Sequence, residues 1–258
     1  MNKIAENSLT KVPEVTLIFW IIKIAATTLG ETGGDAVSMS MNLGYAVASI
    51  IFIGIFIGVV AAQIAARKFH PLLYWSVIVA TTTAGTTMAD FADRSLHIGY
   101  TGGASILFLL LISSLYIWYK STGTIAVNSI STPKVEAFYW VAILLSQTLG
   151  TALGDWMADT NGVGYGGGVL VFAAGLAIVA GGYFFTKVSR TLLFWSAFIL
   201  TRPLGATLGD LLDKPHADGG LAISRYAASG ILAAFVIACV LFLPQKAGAH
   251  PGESEKSA

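Results

Sequence analysis

Tryptophan, glycine and aspartate recur along this chain in one shared register. Trp20, Trp75, Trp140 and Trp195 are spaced by 55, 65 and 55 residues. Gly30, Gly85, Gly150 and Gly205 keep that spacing, and so do Asp35, Asp90, Asp155 and Asp210. Such self-similarity marks a repeat architecture, in which each copy is one supersecondary unit that buries its apolar face against its neighbours. The four copies read TLGETGGD, TAGTTMAD, TLGTALGD and PLGATLGD. Equal first and last offsets point to an ancestral pair of repeats that was itself duplicated.

Each copy holds two long apolar stretches. Ala46 to Ala66, Pro71 to Ala89, Ala104 to Tyr119, Ala137 to Gly154, Gly168 to Thr186 and Ala227 to Leu243 carry no charge. Val15 to Gly30 contains only Lys23, and Thr191 to Gly209 only Arg202. A helix needs about 20 apolar residues to cross a bilayer. Charged residues make up 11% of the chain and mean hydropathy is +0.73, whereas soluble domains carry about 25% charge. The expected fold is therefore an all-α integral membrane protein. Its eight transmembrane helices would come from four parallel two-helix repeats, in two tandem pairs about an axis normal to the membrane.

The domain reading follows. Residues 1–12 form a polar N-terminal segment without signal-peptide character, 13–120 repeats 1 and 2, and 121–134 a cytoplasmic linker. Residues 135–243 form repeats 3 and 4, and 244–258 a disordered tail. The lone Cys239 excludes an intramolecular disulfide. Lys and Arg gather at the termini and in the loops after spans two, four and six, while the opposite loops hold only Arg94 and Lys214. Cytoplasmic loops are enriched in these residues, so both termini are expected in the cytoplasm, with the protein in a bacterial inner membrane.

The acidic residues carry the functional argument. Each motif has two: Glu31 and Asp35, Asp90 and Asp93, Asp155 and Asp159, Asp210 and Asp213. Residues three or four apart share a helix face, so each pair projects one way. Thr27, Thr82, Thr86, Gln147 and Thr151 extend the stripes and are candidate path-lining residues. Helix packing alone accounts for the small residues at Gly34, Ala89, Gly154 and Gly209, since small-xxx-small spacing lets backbones approach closely. It leaves the aspartates unexplained, and helix capping is their plainest structural reading. Asp93, Asp159 and Asp213 also fit solvated loops. An acid at mid-bilayer costs about 2.5–3.5 kcal/mol, so eight would cost roughly 20 kcal/mol or more. Lys23, Arg202 and Arg225 are the counter-charges this reading finds inside the spans. The remainder calls for protons or a bound cation, with Glu31, Asp35, Asp90, Asp155, Asp210, Asp93, Asp159 and Asp213 as candidate ligands. Carboxylate, hydroxyl and amide oxygens suit Mg²⁺, Ca²⁺ or Mn²⁺.

A Gly-Tyr pair follows the aspartate in three copies, at Gly44-Tyr45, Gly99-Tyr100 and Gly164-Tyr165. The string Gly162-Val163-Gly164-Tyr165-Gly166 mimics a potassium filter. Such a filter needs four equivalent strands, and the fourth copy has Asp218-Gly219-Gly220 instead. A tight turn opening the second helix is the better reading.

The strings TLGETGGD, TAGTTMADFADRSLHIGYTGG, LGTALGDWMADTNGVGYGGG and TRPLGATLGDLLDKP resemble an uncharacterised bacterial family of multi-spanning membrane proteins, over nearly the whole chain. Glu31-Thr32-Gly33-Gly34-Asp35 is more loosely similar to the Glu-x-Gly-Asp-Lys-Thr motif of cation/proton exchangers linked to manganese and calcium export. It has an extra residue between the acids and lacks the lysine and threonine. These resemblances imply a secondary transporter that exports a divalent cation, Mn²⁺ foremost, against protons. The rival expectations are a cation channel with an acidic ring and a non-transporting membrane scaffold or sensor. No nucleophile–base pair, zinc-protease string or phosphate loop points to an enzyme. The expected partners are the bilayer, the cation and protons, with no nucleic acid and with room for a homo-oligomer.

Overall fold

The computed structural model describes residues 9–130, 132–160 and 162–249. Its elements run β1 (Leu9–Pro13), α1 (Leu17–Asp35), α2 (Gly44–Ala65), α3 (Pro71–Asp90), α4 (Tyr100–Thr122), α5 (Pro133–Asp155), α6 (Gly164–Phe185), α7 (Arg190–Asp213), α8 (Arg225–Phe242) and β2 (Ala247–Ala249). Local chemistry sets the starts. The side chains of Thr16, Thr132 and Ser189 accept from the backbone N–H of Phe19, Val135 and Leu192, which satisfies otherwise orphaned donors of a first turn. Pro71 and Pro133 occupy first helical positions, where a missing N–H costs nothing. Gly44, Gly99 and Gly164, the glycines of the Gly-Tyr pairs, have φ of 76°, 78° and 70°. They turn the chain into α2, α4 and α6, which settles those pairs as turns.

Each aspartate of the register is the last residue of an inner helix in the first three repeats, followed by a π-turn at Ala36–Ser40, Phe91–Ser95 and Trp156–Thr160. In the fourth repeat α7 continues through Asp210 to Asp213.

Packing follows the repeat. The first helices form a closed inner ring, α1 against α3, α3 against α5, α5 against α7 and α7 against α1. The second helices form an outer layer, and each packs on the first helix of the next repeat: α2 on α3, α4 on α5, α6 on α7, with α8 closing the circle on α1. Gly30, Gly85, Gly150 and Gly205 make the ring tight, because a Cβ at each would overlap the next repeat's Thr82, Gln147, Arg202 and Thr27 respectively. Inner helices are mostly buried. The outer ones turn large apolar residues outward, with Ile50 at 72% and Leu170 at 72% relative exposure.

Among the described residues there are eight long helices, of which six (α2, α4, α5, α6, α7 and α8) are long and apolar enough by length and composition to cross a membrane. The α1 and α3 helices fall outside that measure because Lys23, Glu31 and a run of threonines lie along them; these side chains are buried within the bundle.

At one end of the bundle Tyr74, Tyr139, Trp75, Trp140, Phe19 and Phe194 form an aromatic floor, in which the Tyr74 and Tyr139 hydroxyls lie 2.7 Å apart. The antiparallel pair β1–β2 covers it. Lys11 in β1 donates to the carbonyls of Gln63, Ile64 and Ala66 at the end of α2 and pairs with Glu136 at 2.5 Å. Two sequence readings change here. The polar first segment contributes a strand in which Thr10 and Val12 are buried. The tail, read as disordered from residue 244, forms β2 at Ala247–Ala249 because its backbone pairs with β1; residues 250–258 lie outside the described ones.

Candidate functional site

Every fourth residue of an inner helix returns to the same face, so the ring stacks side chains in tiers along its axis. Above the aromatic floor come Lys23, Ile78, Ile143 and Phe198. Thr27, Thr82, Gln147 and Arg202 follow, then Glu31, Thr86, Thr151 and Ala206, and last Asp35, Asp90, Asp155 and Asp210. All of these are buried.

Arg202 joins the middle tiers. One of its terminal nitrogens lies 2.9 Å from Glu31 Oε2 and 2.6 Å from Thr151 Oγ1, and also donates to Thr86. The guanidinium thus reaches from α7 to residues of the other three inner helices. The Thr86 hydroxyl further contacts Glu31 Oε2 at 3.2 Å and the Gly30 carbonyl at 3.3 Å.

In the last tier two cations staple neighbouring repeats together. Lys214 Nζ lies 2.6 Å from Asp35 and 3.0 Å from Asp210. Arg94 lies 3.0 Å from Asp90 and 3.6 Å from Asp155. Both follow their own aspartate by four residues, so the staples repeat at alternate copies and divide the four aspartates into two bridged pairs. Arg225, from α8, adds contacts to Asp213 at 3.2 Å and Asp35 at 3.7 Å. Burial opposes the Lys214 charge, yet Asp210, Asp35 and Asp213 together hold its pKa well above the usual lysine value.

Two cations join those expected from the sequence. Lys23, Arg202 and Arg225 are not the only cations at the core. Arg94 and Lys214, read as loop residues, fold over the acidic tier because a four-residue offset carries them onto the aspartate's own face. Their spacing from Asp90 and Asp210 was the signal that sequence reading passed over. Lys23 is fully buried but pairs with no acid among the described residues; its Nζ lies 3.6 Å from the Phe198 ring centre.

The candidate ligands separate into groups. Glu31, Asp35 and Asp210 each offer a carboxylate oxygen within 4.8 Å of the others. Asp90 and Asp155 share the tier but face Arg94. Asp213 is buried against Arg225. Asp93 is half-buried beside α4, and the exposed Asp159 accepts from the Tyr100 hydroxyl at 3.1 Å. Thr27, Thr86, Gln147 and Thr151, the path-lining candidates, are fully buried.

The model of a family described as Repeat of Unknown Function (DUF347) matches four times, at residues 18–69, 73–124, 138–189 and 193–244. The chain belongs to this repeat family. Successive DUF347 repeats begin at offsets of 55, 65 and 55 residues, the register of the tryptophans, glycines and aspartates. Each DUF347 repeat therefore supplies one inner helix, one register aspartate and one outer helix. No curated protein matches the chain, and no solved structure does.

Proposed function

We propose that this DUF347 protein is an integral membrane carrier of a divalent metal cation, Mn²⁺ foremost, exported in exchange for protons. The carrying observation is the convergence of Glu31, Asp35 and Asp210, three buried carboxylates from two inner helices with oxygens within 4.8 Å. Hard oxygen donors of that kind suit Mn²⁺, Ca²⁺ or Mg²⁺. Exposed apolar residues around the outer layer support membrane insertion, and clustered Lys and Arg beside the termini support a bacterial inner membrane with both termini cytoplasmic.

Arg202 and Lys214 then act as internal counter-ions. They face Glu31, Asp35 and Asp210 at 2.6–3.0 Å and offset most of their charge. An entering cation replaces them, and a carboxylate that releases metal takes a proton or its basic partner back. Export rather than uptake is the direction suggested by the exchanger resemblance. The Thr27, Thr86, Gln147 and Thr151 stripe lines the route.

A non-transporting scaffold is the second reading, favoured because Glu31 and all four register aspartates already face a basic side chain. Total cellular metal, measured by mass spectrometry under Mn²⁺, Ca²⁺, Mg²⁺, Co²⁺ and Zn²⁺ challenge, separates the two. The comparison is wild type against Asp35→Asn, Asp210→Asn, Lys214→Met, which removes two ligands together with the lysine that bridges them. Mn²⁺ should fall in wild-type cells only. If no metal differs while both proteins reach the membrane, transport is wrong and the scaffold stands.

A further inference from the structure

Between the aromatic floor and the Glu31 tier, hydrogen-bond donors outnumber acceptors. Lys23 Nζ, Arg202 Nε and Nη1 and Gln147 Nε2 are buried and have no hydrogen-bond partner among the described residues. The same holds for Thr82 Oγ1 and Gln147 Oε1. Lys23, Thr82, Gln147 and Arg202 are each 0% exposed, and they come from the four different inner helices that close the ring. Buried polar groups are almost always paired, and an isolated buried charge is costlier still. Two cationic side chains enter this region, and the one carboxylate bonded to either is Glu31, which faces a single nitrogen of Arg202. Four donor nitrogens are left without an acceptor.

We propose that Lys23, Thr82, Gln147 and Arg202 form a binding site for a small inorganic monoanion of the chloride class, on the axis beneath the acidic tier. A spherical acceptor with one negative charge takes N–H donors from several directions at once and balances Lys23. Two basic side chains and four unpaired donor nitrogens favour an anion over a cation there for as long as Arg202 stays in place. The site belongs to the resting fold and does not depend on cation transport. It gives the axis an alternating order of charge: an anion low, Arg202 and Glu31 midway, the aspartates with their staples above.

The test uses the purified full-length chain in detergent micelles. Thermal unfolding is followed as sodium chloride replaces sodium gluconate at constant ionic strength, and bound chloride is counted by equilibrium dialysis with the radiolabelled ion. Wild type should show a midpoint that keeps rising with the logarithm of chloride concentration, because a ligand that binds only the folded state stabilises it by mass action, and should hold one chloride per chain at saturation. Lys23→Met should lose both. Gln147→Leu keeps the charges and removes one donor to the ion, so its half-effective chloride concentration should rise about tenfold; it decides the matter if Lys23→Met does not fold. A wild-type protein indifferent to chloride, or variants with unchanged chloride dependence, would overturn the proposal.

Discussion

Lys214 follows Asp210 by four residues and reaches the neighbouring repeat's Asp35 at 2.6 Å as well as its own aspartate at 3.0 Å. Replacing it by methionine keeps most of the side-chain volume and leaves two buried carboxylates facing each other. Breaking a buried pair by removing one partner costs about 3–5 kcal/mol, so Lys214→Met should lower stability by several kcal/mol in detergent unfolding. The pH dependence has a definite sign. The lysine's pKa is raised in the folded state, above 10.5, so its contribution is complete below that value and is lost only as pH climbs through the folded pKa. Deprotonation of the lysine should therefore close the gap between wild type and Lys214→Met only in strong alkali, above about pH 10. A gap that closes near neutrality would show that another group sets it. Arg94 bridges the opposite pair, but its side chain is 32% exposed, so water screens it and Arg94→Met should cost clearly less than Lys214→Met.

At the scale of helices, the ring depends on backbones that touch. A Cβ at Gly85 would lie 2.9 Å from the Thr148 backbone nitrogen and 3.0 Å from the Gln147 carbonyl carbon. Backbone cannot swing aside as a side chain does, so Gly85→Ala should force α3 and α5 apart and cost about 1–3 kcal/mol, the usual range for overpacking. Gly54→Ala in α2, where nothing lies within 4 Å, should be neutral or slightly stabilising because alanine favours helix. Equal melting of the two variants would contradict the close-approach role. These glycines were legible in the sequence because repetition in register exposes a shared steric demand. The tier of carboxylates was legible for the same reason, since spacing of four fixes a face. Which helix meets that face was not. Periodicity describes one helix at a time, whereas the pairing of α2 with α3, and of α6 with α7, follows from the short links 66–70 and 186–189, which favour antiparallel neighbours. Arg94 and Lys214 were missed because charge after an apolar run reads as loop, although their four-residue offset from Asp90 and Asp210 places them on the aspartate's own face.

The same pairing makes the molecule two interlocked halves. Repeats 1 and 2 meet repeats 3 and 4 through α3 on α5, α4 on α5, α1 on α7 and α8 on α1. Both staples cross this boundary, Arg94 to Asp155 and Lys214 to Asp35, as does Arg202 to Glu31. Each half alone would leave acids and bases unpaired on an open face. A cut within the segment 123–132, between α4 and α5, interrupts neither of those helices. Co-expressed halves, residues 1–122 and 123–258, should therefore assemble and co-purify, with one half tagged and the other detected by its mass. Arg202→Met in the second half should weaken recovery, because it strands Glu31 in the first. The reason for assembly is polar complementarity at the axis, so exposed outer-face changes such as Ile50→Ala in the first half should leave recovery unchanged. Halves that each purify as stable, separate proteins would mean that the closed ring is not what holds the acidic tier together.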